Sequence, residues 1–332
     1  MASSQSHIDV EKKMFQLNKK FRASGIINGL ISGLTYGIYS TFVAVASGYD
    51  PLSTTVGLFS APFVCSGLND LFSGLWLLLY NAKQGKLKEL SRTLKTKSGM
   101  MMVLGFLLGG PIANGAYLIG IAMAGAYAIP VSATCGLFGA LFSWLFFKQK
   151  PTKRVWLGMA ICIVGAGIIG WSQVDNAPNF TLGIIFSLIA AIGWGLEGMF
   201  SSFGGAMLDT DVAVNLRQLI SGIVVIGVIL PILNAFGLLT ATLVAGIPAI
   251  WLIISGLTAA VSFLCWYKAN AMVGCAVGMS LNVTYAFWGV ILSVIFLGQE
   301  LTTNIVIGSI AIVIGAILVT MNPLDFLKKG VE

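Results

Sequence analysis

Charge is what this sequence has least of. Asp, Glu, Lys and Arg make up 9% of its 332 residues, against about a quarter in a soluble domain. With 57% apolar residues and a mean hydropathy of +0.92, the composition excludes a soluble enzyme, a nucleic-acid-binding module and a disordered scaffold. Histidine is nearly missing too: the single one, His7, lies in a polar N-terminal stretch. Cys65, Cys135, Cys162, Cys265 and Cys275 all fall in apolar stretches with no Cys-x-x-Cys pair, so they read as small core residues and a His/Cys metal site has no material. There is no Walker-type phosphate loop. Gly193-Trp194-Gly195-Leu196-Glu197-Gly198 satisfies G-x-G-x-x-G, but without the strand and βαβ context that a dinucleotide fingerprint requires. No cofactor and no metal are therefore expected. No small-residue cleavage site follows the first apolar stretch, which reads as an uncleaved helix.

What fills the sequence is apolar stretches of membrane-spanning length, since about 20 helical residues cross a ~30 Å hydrocarbon layer. The pattern predicts ten spans, near 25–47, 56–80, 99–121, 127–147, 155–171, 181–204, 213–236, 248–267, 277–297 and 303–321, with polar tails at 1–24 and 322–332. The fold class expected is an all-α integral membrane protein.

The formal net charge of +7 is distributed as topology rather than as a binding patch. Lys12, Lys13, Lys19, Lys20 and Arg22 precede the first span, and Lys83, Lys86, Lys88, Arg92, Lys95 and Lys97 follow the second. Lys148, Lys150, Lys153 and Arg154 follow the fourth, and Lys328 and Lys329 come after the last. With ten spans every cluster falls on one side, together with Arg217 and Lys268, whereas the opposite loops carry Asp50, Asp175 and Glu300. By the positive-inside rule both tails are cytoplasmic, which places the chain in the inner (cytoplasmic) membrane.

The chain also repeats itself. At a constant shift of 150, Tyr117 aligns with Tyr267, Phe146 with Phe296, Gln149 with Gln299, Thr152 with Thr302, Gly158 with Gly308 and Gly165-Ala166 with Gly315-Ala316. Tyr36-Gly37 against Trp194-Gly195 extends the match upstream. The repeats are 25–171 and 181–321, five spans each. An odd number per half makes the second copy enter from the other side of the membrane, and inverted repeats are a transporter architecture with the ligand site near midplane at their interface. In the first span, Gly25, Gly29, Gly33 and Gly37 form a smooth ridge for close helix packing.

Ionisable residues inside spans are costly and mark function. Glu197 has Trp194 one turn before it and Phe200 and Ser201 one turn after, so a carboxylate and aromatic surface share a helix face. That outlines a cation site; the competing reading is a protonated Glu197 or one paired with Arg217. Asp70 is either a proton carrier or the buried partner of Arg217. Arg217 itself is expected to snorkel its guanidinium to the cytoplasmic surface.

The ninth span puts Asn282, Tyr285 and Trp288 at three-residue steps, an arc of about 120° on a helix. Tyr36, Tyr39, Trp266 and Tyr267 add rings. Rings around one carboxylate recognise quaternary ammonium groups, at about 0.5 to 2 kcal/mol per contact; interhelical packing or an interfacial belt is the alternative.

Ten spans in two halves, with Tyr36-Gly37 and Trp194-Gly195 in equivalent helices, resemble the EamA group of the drug/metabolite transporter superfamily. Within it the chain is most similar to bacterial choline importers, through Asn69-Asp70, Gly110-Pro111-Ile112, Trp194-Gly195-Leu196-Glu197, Ser201-Ser202-Phe203, Arg217-Gln218 and Leu281-Asn282-Val283-Thr284-Tyr285 with Trp288. The resemblance implies that Trp194, Tyr285 and Trp288 are cage walls and Glu197 the nearby anion. The candidate substrate-binding set is thus Tyr36, Trp194, Glu197, Tyr267, Asn282, Tyr285 and Trp288, with Asp70 and Arg217 for coupling or ion pairing. The expected function is import of a small organic cation, choline first, with protons a candidate co-substrate, the bilayer as surroundings, and monomer and dimer both open. An exporter of amino acids or drug-like metabolites is the alternative within transport; a non-transporting receptor or an intramembrane enzyme using Asp70 and Glu197 is the alternative outside it.

Overall fold

The computed structural model describes residues 2–55, 59–124, 128–171, 180–204, 207–298 and 302–320, and among these all regular structure is helical. In chain order the helices are α1 (Ala2–Ser47), α2 (Ser60–Lys83), α3 (Leu87–Leu94), α4 (Lys97–Leu107), α5 (Ala113–Ala124), α6 (Ala128–Ala133), α7 (Cys135–Phe147), α8 (Lys153–Trp171), α9 (Phe180–Gly204), α10 (Thr210–Val224), α11 (Leu230–Ile232), α12 (Phe236–Val244), α13 (Ile247–Val273), α14 (Cys275–Asn282), α15 (Tyr285–Leu297) and α16 (Thr303–Thr320). Among the described residues seven helical stretches are long and apolar enough to cross a membrane, including Lys97–Gly120 and Cys275–Phe296, which each run through a local irregularity. Val131–Phe147 and Thr303–Val319 are shorter apolar helices. The chain is a multi-pass membrane protein.

Several boundaries differ from the sequence reading. The polar residues before the first span are helical from Ala2 onward, because no proline or glycine interrupts a run rich in Lys, Gln and Glu. The basic stretch after the second span contains the amphipathic α3, and α12 occupies part of what reads as a loop before the eighth span. Asp175, Glu300, Lys328, Lys329 and the tail 322–332 lie outside the described residues.

Four interruptions fall inside spans, one of them a π-helical turn at Val225–Ile229 between α10 and α11 in the seventh. In the third, Leu108–Ile112 forms a π-helical turn around Pro111, which has no N–H to give the helix ladder. The fourth breaks at Thr134 between α6 and α7, and the ninth at Val283–Thr284 between α14 and α15. At both breaks a threonine Oγ1 donates three residues back, Thr134 to the Val131 carbonyl at 2.6 Å and Thr284 to the Leu281 carbonyl at 2.7 Å. The two threonines are 150 residues apart.

Three pairs of neighbouring helices run antiparallel, as their contacts show. The Ser262 hydroxyl bonds the Ser32 carbonyl at 3.0 Å and Ser255 the Tyr39 carbonyl at 3.1 Å, so α13 descends as α1 ascends. Gly183 lies against Ala124, Gly120 against Ser187 and Gly193 against Ala113, giving α9 and α5 the same relation. Gly158 packs on Gly315 and Gly165 on Gly308, so α8 and α16 do likewise. The glycine ridge of α1 is a packing surface: Gly25 faces Met272 and Val273, Gly29 faces Leu281, Gly33 faces Thr284 and Gly37 faces Trp288.

Candidate functional site

Between these helices lies a cavity of about 40 Å³. Tyr36 of α1, Trp194 of α9, Phe263 and Trp266 of α13 and Tyr285 of α15 supply rings to its wall, so both ends of the sequence contribute. Tyr36 and Tyr285 have centroids 4.4 Å apart, and Tyr39 backs Tyr36 at 4.5 Å. Polar lining comes from Asn114, Ser262 and Asn282, whose donors point away to protein acceptors. Asn282 Nδ2 bonds Ser32 Oγ at 2.6 Å, Asn114 Nδ2 bonds Ser66 Oγ at 3.2 Å, and Ser262 donates to Ser32 O. Among the described residues no Lys, Arg, Asp or Glu lines the cavity. Its size is nearer to a few waters than to a drug-sized molecule.

Directly behind the Phe263 and Trp194 walls is a buried ion cluster. Arg217 is fully buried, a correction to the expectation that it snorkels to the surface: α10 holds it in the bundle, where carboxylates from two other helices meet it. Its Nε donates to Glu197 Oε1 at 2.8 Å, its Nη2 lies 3.5 Å from Oε2, and its Nη1 lies 3.7 Å from Asp70 Oδ2. Nη1 also bonds the Gln218 amide oxygen. The guanidinium stacks over Phe263, 4.1 Å from the ring centroid. Ser221 donates to Asp70 at 2.6 Å and Tyr267 to Glu197 at 2.7 Å. Two carboxylates thus share one guanidinium, with hydrogen bonds on every side, as a buried charge group requires.

The π-helical turn makes this cluster possible. The Ala113 amide bonds the carbonyls of Leu108 and Gly110, passing over Gly109. The Gly109 carbonyl instead accepts Trp194 Nε1 at 3.0 Å and Arg217 Nη2 at 3.4 Å, tying a cavity wall to the ion cluster. Gly109 must be glycine, since a Cβ there would fall on the Glu197 carboxylate.

Of the residues singled out from sequence, Tyr36, Trp194, Asn282 and Tyr285 are brought together around the cavity. Glu197, Asp70 and Arg217 meet one another instead, so the carboxylate expected inside the aromatic cage sits behind its wall. Tyr267 faces Glu197 rather than the cavity. Trp288 packs beside Gly37 and Phe287, the latter at 5.0 Å between centroids, and is not among the lining residues. Sequence reasoning passed over Asn114, Ser262, Phe263, Met279 and Cys135. The spacing of Ser262, Phe263 and Trp266 on one helical face was the available signal; nothing marked Cys135.

At one end of the bundle a second set of charges is only partly buried. Lys86 bridges Asp209 and Asp211 at 2.7 and 2.8 Å, and Lys268 reaches Asp211 at 3.0 Å. The two carboxylates raise the Lys86 pKa above the ordinary lysine value. They also fix Lys86 and Lys268 at the same end.

Comparison with known proteins fits this architecture. A solved structure described as "Crystal structure of protein" has the same fold, with a TM-score of 0.69 at 16% identity over 90% of this chain and 97% of that one. Protein LicB of Haemophilus influenzae is 32% identical over 190 residues, which are 55% of this chain and 62% of LicB. The match therefore covers less than two thirds of that relative. Residues 23–171 and 181–321 each match the EamA-like transporter family. Taken with the helical membrane fold and the cavity between its helices, these two segments make the chain a member of the EamA-like transporter family.

Proposed function

We propose that the protein imports a small organic cation, choline or a related quaternary amine first, by alternately exposing the central cavity to the two sides of the membrane. The observation that carries this reading is the lining: among the described residues, five aromatic side chains and no formal charge. Ring faces attract a cation by about 0.5 to 2 kcal/mol each when desolvated, and at about 40 Å³ the cavity must widen to admit one. The negative charge such a ligand needs nearby comes from the cluster behind the wall, where Asp70 and Glu197 face one Arg217. The resemblance of the sequence to choline importers points the same way.

Alternating access rests on ten spans arranged as two inverted five-helix repeats, 25–171 and 181–321, with the tails 1–24 and 322–332 in the cytoplasm. Repeat-equivalent contacts support this. Gly37 packs on Trp288 and Gly289, and Gly195 packs on Phe138 and Gly139, the same pair 150 residues earlier. Gly158 with Gly315 and Gly165 with Gly308 are one contact written twice, across antiparallel helices. The breaks at Thr134 and Thr284 are equivalent as well. Helices related this way exchange roles when one half rocks against the other.

A monovalent cation entering down 100 mV gains ~2.3 kcal/mol, about fifty-fold in accumulation, so the membrane potential suffices for import. Asp70, the second carboxylate of the cluster, is the site for any additional proton. Proteoliposomes with a potassium gradient are expected to accumulate labelled choline when valinomycin makes the interior negative, and Asp70→Asn to remove any stimulation by external acid. Accumulation that ignores the potential and requires an acidic interior identifies an exporter instead and overturns the import reading.

A further inference from the structure

Two tryptophans line the cavity, and their indole nitrogens differ. Trp194 Nε1 is committed to the Gly109 carbonyl at 3.0 Å. Trp266, 6% exposed, has its Nε1 buried with no hydrogen-bond partner, and among the described residues no other residue lining the cavity has a buried side-chain nitrogen or oxygen in that condition. An indole nitrogen is a donor only, and buried tryptophans normally find an acceptor for it. Its ring is held on both flanks, edge-on to Phe263 at 6.0 Å and to Tyr267 at 5.3 Å. The other lining side-chain nitrogens and the Ser262 hydroxyl are all spent on protein acceptors. The amide oxygens of Asn114 and Asn282, by contrast, accept no hydrogen bond among the described residues.

We infer that the ligand of this cavity carries a hydroxyl group beside its cationic head, and that Trp266 is the residue that reads it. The hydroxyl oxygen accepts from Trp266 Nε1 while its proton goes to an asparagine amide oxygen. An alcohol does both at once; a methyl group does neither and leaves the donor buried and unsatisfied, which is how polar sites reject analogues that lack the matching group. The rings take the ammonium head and Trp266 takes the tail, so the cavity distinguishes among quaternary amines of equal charge and size.

The inference rests on the organic-cation reading, and a matched ligand pair separates the two. Choline and n-propyltrimethylammonium differ by a hydroxyl in place of a methyl group. Titration calorimetry on the purified protein is expected to show choline binding at least tenfold tighter. Trp266→Phe, which keeps a ring and removes the N–H, is expected to bring that ratio below threefold, with choline losing more affinity than the propyl compound. In wild-type protein with ¹⁵N-labelled indoles, choline should shift one N–H downfield and the propyl compound none, a readout that needs no substitution. Equal affinities, a ratio that survives Trp266→Phe, or the absence of a choline-specific indole shift overturns the role of Trp266 and leaves the organic-cation reading standing. Binding of neither compound overturns both.

Discussion

The cavity and the ion cluster lie back to back, joined by the Gly109 carbonyl and the Phe263 ring, yet they are built on opposite rules. The cavity is lined by rings and amides and by no formal charge, and it leaves one indole donor unspent. The cluster leaves no space, and its guanidinium has partners on α9, on α2 and at the π-helical turn. An open carboxylate in the cavity would be solvated whenever the site faced water and would hold a cation too tightly to release it. Placed behind an aromatic wall, the same carboxylate contributes potential without becoming a ligand. On the proposed reading recognition and charge balance fall to different groups, and the Gly109 carbonyl bonds a member of each.

The sharpest way to break this division is to remove the cation from the cluster. Arg217→Met leaves two carboxylates buried without a countercharge and is expected to cost about 3 to 5 kcal/mol of stability, read as a lowered unfolding temperature in detergent. Adding Asp70→Asn and Glu197→Gln should recover most of the loss, since a neutral cluster has no charge to compensate. Arg217→Met unfolding at the wild-type temperature would mean that the cluster is not held together by its ions.

The cavity is expected to answer differently. Trp194→Ala should weaken organic-cation binding by about 1 to 3 kcal/mol, whereas Trp288→Ala should alter stability and leave the affinity within about twofold, because Trp288 packs beside Gly37 and Phe287 and is not among the lining residues. Equal losses of affinity in the two variants, measured by calorimetry, would return Trp288 to the cage and blur the boundary between site and packing.

Smaller effects refine the picture. Lys86→Ala removes a partly exposed bridge to Asp209 and Asp211, and its expected cost is about 0.2 to 1 kcal/mol, diminishing with added salt as the buried cluster's contribution should not. A salt-independent loss would count Lys86 with the buried charges. Smallest of all, Tyr36→Phe and Tyr285→Phe keep the ring faces and are expected to change cation affinity by less than about 0.5 kcal/mol. A larger drop would show that their hydroxyls, and not only their rings, contact the ligand.

Much of this molecule was legible in one dimension. A span is defined by its own residues: without water to satisfy backbone groups, an apolar stretch of sufficient length must form a helix, and that requirement reads directly from composition. The glycine ridge was legible for a related reason, since four-residue spacing fixes one face of any helix. Less was legible about the site. Tyr36, Trp194, Asn282 and Tyr285 stood out as polar or aromatic residues inside spans, and they do meet. Trp288 looked equivalent to Tyr285 because both lie on one arc of the ninth span, but Trp288 is the one packed against Gly37 of α1, and only Tyr285 is among the lining residues.

Sequence by itself therefore determined that the chain lies in a membrane as apolar helices, that its halves are related, and that few charges enter the hydrocarbon layer. Which of those charges meet was decided by tertiary structure alone. Asp70, Glu197 and Arg217 sit on three helices, and their partnership depends on how α2, α9 and α10 rotate and cross around a π-helical turn. Helical periodicity constrains the face of one helix at a time; the distance between faces, and hence whether a carboxylate becomes a ligand or a countercharge, exists only once the helices are packed.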